Sequence, residues 1–288
     1  MNSLLEDFAA HKDDKIQKPN FDTRMGREFL AFYLKTKFKQ IINWDKKTGQ
    51  NLFVSIKDDF IERFLERLIS HPKERILIGI TGESASGKST ICQEIRKDTE
   101  KFNLPVTILS ADNYFNDISH LIKKYGDFDK LRDAGYDVDA PENFQLDLMA
   151  KNLAELKNGC DVLAPKYLVN GTGISVPSGL PVKSNKIIVI EGMATMLEPV
   201  KSLFDVKIYV EIDDKIRKKR FISRAKDRNQ DKDNAQKHWE YVLRAGQKYV
   251  QPAKNECDII ASGECDLEYF SKLLEYINLA TNSFLEEA

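Results

Sequence analysis

The chain has 288 residues, of which 42% are hydrophobic and 31% charged, enough apolar material for a sizeable core and too much for a disordered chain. Lys and Arg number 44 against 45 Asp and Glu, so the formal charge is −1 and a globally basic nucleic-acid binder is excluded. A prior of roughly 150 residues per domain allows one or two domains.

The opening MNSLLEDFAAHKDDK is acidic and interrupted, unlike a signal peptide, and no apolar run approaches the ~20 residues of a membrane helix. The four cysteines, Cys92, Cys160, Cys257 and Cys265, form no CxxC pair. Isolated thiols in a chain this long fit a reducing cytosol, so a cytoplasmic protein with no membrane partner is expected. From about residue 21 to 70 the pattern is helical. Phe29, Leu30, Phe32, Tyr33 and Phe38 punctuate a Lys-rich stretch, and Phe60, Ile61, Phe64, Leu65, Leu68 and Ile69 recur at steps that make one helix face. His71-Pro72 ends that helix. Residues 1–72 therefore read as a helical extension packed on something larger, with apolar faces that suit a homo-oligomer contact.

The texture changes at residue 75. RILIGI (75–80), VTILS (106–110), IIVI (187–190), VKIYVEI (206–212) and CDII (257–260) are short, β-rich apolar runs, several of them separated by helical patterns. Such alternation predicts an α/β fold with a parallel sheet covered on both faces, over residues 73–288. A helix follows Pro141 and stops at Gly159. Gly171, Gly173, Pro177, Gly179 and Pro181 mark a hairpin or loop excursion between 161 and 186, and LEYFSKLLEYINLA (267–280) reads as a closing helix.

The strongest signal lies after the first of these strands. Gly82-Glu83-Ser84-Ala85-Ser86-Gly87-Lys88-Ser89-Thr90 matches G-x4-G-K-[ST] in full, with a strand before it and a helix after it. Glycines let the backbone approach an anion, and successive N–H groups then form a nest for phosphate oxygens. The positive end of the following helix faces the same anion. Lys88 is placed to reach the β- and γ-phosphates, and the Ser89 hydroxyl to ligate Mg²⁺.

Two carboxylates sit just past strands, where open α/β sheets bind ligands. Asp112, in ILSADNYF, is either a base that accepts a hydroxyl proton or an ordinary Asx turn. Glu191, in IIVIEGMA, is either a supporter of Mg²⁺ or a plain strand-end acid. Farther along, Arg217, Arg220, Arg224 and Arg228 recur at steps of three, four and four, on one helical face. Four guanidiniums side by side repel unless an anion arrives. The segment 214–238 is thus a candidate lid that closes over triphosphate, or else a solvated helix.

The ordered set GESASGKST, LSADNYF, YDVDAPENFQLD, APKY, IIVIEGMA, LFDVKIYVEIDD, the Arg-rich stretch and QKYVQPAKNECDII resembles the uridine kinase and phosphoribulokinase family of P-loop kinases over roughly residues 75 to 262. The resemblance implies a three-layer sandwich around a five-stranded parallel sheet, ATP with Mg²⁺, and phosphoryl transfer to a hydroxyl of a small molecule. It implies that Asp112 is the general base, that Asp139 holds ribose hydroxyls, that Tyr167 lies beside the base, and that Arg220 and Arg228 are lid arginines, with Arg224 near the nucleotide. The sequence departs from the pattern at Thr172, where uridine kinases typically carry a His that reads the pyrimidine, and at Ser223 and Gln230, where Arg is common. The first reading is therefore an ATP-dependent kinase of a nucleoside such as uridine. A kinase of a phosphosugar or pantothenate, and a non-catalytic nucleotide-binding switch, are the alternatives.

Overall fold

The computed structural model describes residues 53–71, 74–101, 105–227 and 232–264, with isolated positions between 25 and 49. The expected closing helix at 267–280, Cys265, Arg228, Gln230, and Phe29, Leu30, Tyr33 and Phe38 lie outside the described residues, as do the side chains of Leu68 and Ile69.

Strand β1 (Phe53–Ile56) and helix α1 (Phe60–Ser70) lead into β2 (Ile76–Thr81), α2 (Lys88–Lys101) and β3 (Val106–Ser110). Helices α3 (Ser119–Tyr125), α4 (Phe128–Asp133) and α5 (Leu146–Lys157) come next. The hairpin β4 (Val162–Tyr167) and β5 (Ser175–Val182) precedes β6 (Ile187–Glu191) and β7 (Val206–Glu211). Helices α6 (Asp214–Asp227) and α7 (Lys232–Ala245) then return the chain to β8 (Ile259–Ser262).

The main sheet has the order β1-β8-β7-β2-β6-β3. Its last five strands are mutually parallel, as the five apolar runs predict, and β1 adds an antiparallel sixth strand on β8. That edge strand lies inside the stretch read as helical. Its four residues are too few to show a period, and β8 supplies the pairing edge. Helix α1 is where its spacing predicts it, and it buries Phe60, Phe64 and Leu65 against the sheet.

Alternation along β2 builds both faces of the core. Ile76, Ile78 and Ile80 point to the side covered by α1 and α2, while Leu77 points to the side covered by α5. The sequence run is continuous rather than alternating because both faces are buried. Each such side chain stabilises the fold by roughly 1.5–3 kcal/mol relative to exposure.

Helix α5 begins at Leu146, later than the run after Pro141 suggests. Residues 141–143 form a 3₁₀ turn, Phe144 bridges to Phe115, and the Gln145 N–H donates to the Tyr114 carbonyl at 2.7 Å. Those contacts pull the segment toward the loop after β3 before the helix can start. The helix then stops at Asn158, with Gly159 at φ 94°, as the glycine predicts.

Candidate functional site

The parallel strands end on one edge of the sheet, and register brings their termini together. Glu191 pairs in register with Ile80 of β2 on one side and Ser110 of β3 on the other. The loop 82–90, the turn 111–114 and Glu191 therefore open on the same crevice, as expected for ligands outside the carboxyl ends of the strands.

The loop 82–90 has the backbone its composition calls for. Gly82 and Gly87 have φ of 146° and 111°, and Ala85 has φ 67°. Helix α2 starts at Lys88 with no acid in its first turn, so its positive end is uncompensated. Lys88 Nζ donates to the carbonyls of Gly82 at 2.7 Å and Glu83 at 3.0 Å. Burial pushes its pKa down, against the pull of Glu191 and Asp112. The hydroxyls of Thr81 and Ser86 are buried and have no hydrogen-bond partner among the described residues. Orphaned buried donors are uncommon, and these two flank the glycines of the loop.

Asp112 sits in the 3₁₀ turn Ala111–Tyr114, which Ser110 caps by accepting from the Asp112 N–H at 3.3 Å. The carboxylate does no capping itself. The residue is exposed, yet protein atoms around its carboxyl partly desolvate it. That crowding, then the charge of Glu191, raise its pKa to about 6, against the pull of Lys88. Gly192 lets the two turns meet: with φ 148°, a Cβ there would lie 2.7 Å from the Ala111 Cβ. Ser89 Oγ donates to Glu191 Oε1 at 3.4 Å.

On the far side of the crevice, α3, α4 and the loop to α5 form a small cap around Ile118, Ile122, Leu131 and Val138. Asp139 lies in that loop. Burial raises its pKa although Arg132 opposes the shift, and its charge reaches Asp112. Tyr167, at the end of β4, packs on Phe115 with ring centroids 5.3 Å apart. Its phenol is pushed up to about 12 by burial, then by Asp117, and it also feels Arg132 and Asp112. Arg132, which the sequence does not single out, has a side chain only 11% exposed and stacks over Phe128 at 5.7 Å. Thr172 lies in the β4–β5 turn and spends its hydroxyl on Asn170 Oδ1 at 2.5 Å.

The arginine face divides. Arg217 is fully buried, within 2.9 Å of Glu83 Oε1 and 2.8 Å of Asp214 Oδ1, and it lies over the Trp239 ring at 4.8 Å. Its charge is already balanced, so it is not one of four guanidiniums awaiting an anion. Helical spacing alone carries no information about Glu83, which is 134 positions away. Arg220 is half-buried and donates to the Gly263 carbonyl at 3.0 Å, beside the phosphate loop. Arg224 is exposed, and its charge helps lower the Lys88 pKa.

The loop 82–90 and the cap that carries Asp139 lie within a family match. The model of the Phosphoribulokinase / Uridine kinase family matches residues 77–265. The chain belongs to this family. It is an ATP-dependent kinase of a small molecule. Uridine kinase from Staphylococcus aureus strain JH9 is 33% identical over 192 residues, covering 65% of this chain and 87% of that protein, and the uridine kinase of strain Newman matches to the same extent. A solved structure of a candidate fructose transport system kinase from Silicibacter sp. TM1040 superposes with a TM-score of 0.51 at 22% identity, over 69% of this chain and 94% of that one. At that identity the likeness speaks to the fold, and the parallel sheet and its covering helices agree with it. Among the described residues no helix is long and apolar enough to cross a membrane.

Proposed function

We propose that this family member transfers the γ-phosphoryl group of ATP to a ribosyl hydroxyl, with uridine as the first acceptor. The reading is carried by one observation: Asp112, a carboxylate that makes no hydrogen bond among the described residues, shares a crevice with Lys88 and Glu191 on one side and Asp139 and Tyr167 on the other. The uridine kinases at 33% identity support uridine in particular.

In this mechanism the nest of 82–90 and the N-terminus of α2 hold the polyphosphate, and Lys88 leaves the Gly82 and Glu83 carbonyls to reach its outer oxygens. Asp139 and Tyr167 orient the acceptor so that its hydroxyl lies against Asp112. Asp112 accepts the hydroxyl proton as the oxygen attacks the γ-phosphorus and the bond to the β–γ bridging oxygen breaks, releasing ADP; a pKa near 6 leaves it ionised yet basic at neutral pH. Arg220 and Arg224 stabilise charge on the transferred group, as Arg228 does in the family pattern. Ser89 Oγ and Glu191 Oε1 are hard oxygen donors, the kind that suits Mg²⁺. When bound there, Mg²⁺ offsets negative charge on the polyphosphate.

Thr172 donates its hydroxyl proton to Asn170, which leaves that side chain only acceptor capacity toward a base. The test is ADP release with uridine, cytidine, ribulose 5-phosphate and pantothenate as acceptors. Turnover with the nucleosides supports the reading. Turnover confined to the phosphosugar or pantothenate overturns it.

A further inference from the structure

Helix α7 runs into a π-helical turn, Gly246–Val250, before the chain reaches β8. Such turns are rare and recur at functional sites. Both flanks of this turn touch the loop 82–90. A Cβ at Gly246 would lie 2.5 Å from Glu83 Oε1, and Gln251 Nε2 donates to the same oxygen at 3.3 Å. Residues between those flanks touch the acceptor cap. The Tyr249 hydroxyl donates to Asp137 Oδ2 at 2.7 Å, and Lys248 Nζ lies 3.4 Å from that oxygen.

Asp137 is two residues from Asp139. The same loop is pinned from beneath by buried Asn143, whose Nδ2 donates to the carbonyls of Asp137 at 2.7 Å and Val138 at 3.1 Å. Of the two outer contacts, the phenol carries the link. Lys248 is 65% exposed, and exposed ion pairs contribute little. The Tyr249 ring is half-buried against the core, with Lys248 Nζ over it at 4.6 Å, so its hydroxyl is held toward Asp137.

We propose that the π-turn couples nucleotide occupancy of the phosphate loop to the order of the acceptor loop 136–143, with Tyr249 acting as a positioning residue for Asp139 through Asp137. The proposal rests on the kinase reading above and adds an order of events to it. Lys88 now ties the Gly82 and Glu83 carbonyls. Polyphosphate competes for that ammonium and frees the Glu83 peptide. The Glu83 side chain, wedged between Arg217 and Gln251 against Gly246, passes the shift to the turn.

The test is hydrogen–deuterium exchange of residues 136–143 in the full chain, with and without a non-hydrolysable ATP analogue whose affinity is measured by calorimetry. In the parent the analogue is expected to slow exchange in this segment by about fivefold, the low end of usual coupling between sites. Tyr249→Phe keeps the ring and should lose that protection while binding the analogue within about threefold of the parent. Asp137→Ala removes the other half of the contact and should lose it equally, and the double variant should lose no more than either. Segment 136–143 protected alike in parent and Tyr249→Phe, or unaffected by the analogue in the parent, overturns the proposal. Asp112→Asn separates the two readings: an error about the chemistry appears in its turnover, and an error about the coupling appears in exchange of the Tyr249 and Asp137 variants.

Discussion

Replacing Asp112 by Asn removes the proposed base while keeping its shape. The pKa of about 6 makes the consequence quantitative. A carboxylate with that pKa is about nine-tenths ionised at pH 7 and about one-tenth ionised at pH 5, so kcat/KM should fall about tenfold across that interval. An unperturbed aspartate, near 3.9, would stay more than about nine-tenths ionised at pH 5 and would give almost no fall. Loss of a positioned general base costs about 10²–10⁴ in rate. In the proposed mechanism the carboxylate acts on the acceptor hydroxyl, so Asp112→Asn should reduce kcat by that order while leaving ATP affinity nearly unchanged. The assay is coupled ADP release from pH 5 to pH 8, run on parent and variant with the best acceptor of the panel. The nucleotide titrates as well, but its contribution persists in the variant, so the difference between the two profiles isolates Asp112. A parent profile flat from pH 8 to pH 5, or a variant within a few-fold of the parent at pH 7, refutes the assignment.

The same substitution has a stability readout. A carboxyl whose pKa is raised on folding binds protons more tightly folded than unfolded, so stability declines as pH rises from the unfolded value, 3.8, through about 6. Asp112→Asn should thus melt above the parent at pH 7, with the difference closing toward pH 4. Equal melting temperatures at both pH values would contradict it. Arg217→Met strands Glu83 in a buried position and should cost about 3–5 kcal/mol in urea unfolding, part of which Glu83→Gln in the same chain recovers. A loss below about 1 kcal/mol would mean that Arg217 is not the balancing charge. Phe64, 2% exposed on α1, should cost about 3–5 kcal/mol as Phe64→Ala, and an unchanged unfolding midpoint would show that α1 does not belong to the cooperative core.

Local sequence determined the parts whose physics is local. The loop 82–90 is legible because its glycines, Lys88 and Ser89 act within nine consecutive positions, and the apolar runs announce five parallel strands because a strand buried on both faces can hardly be polar. What lies across the crevice was not legible that way. Whether Asp112 is a turn residue or a free acid depends on Ser110 taking the cap and on Glu191 standing beside it, 79 positions away. The arginine face shows the limit most clearly, because recurrence on one helical face says nothing of Glu83 and Trp239, which bury the Arg217 guanidinium while Arg224 stays exposed. Strand β1, the split of that face and the contact of Tyr249 with Asp137 were decided only by the tertiary structure, where charge and burial are shared between segments distant along the chain.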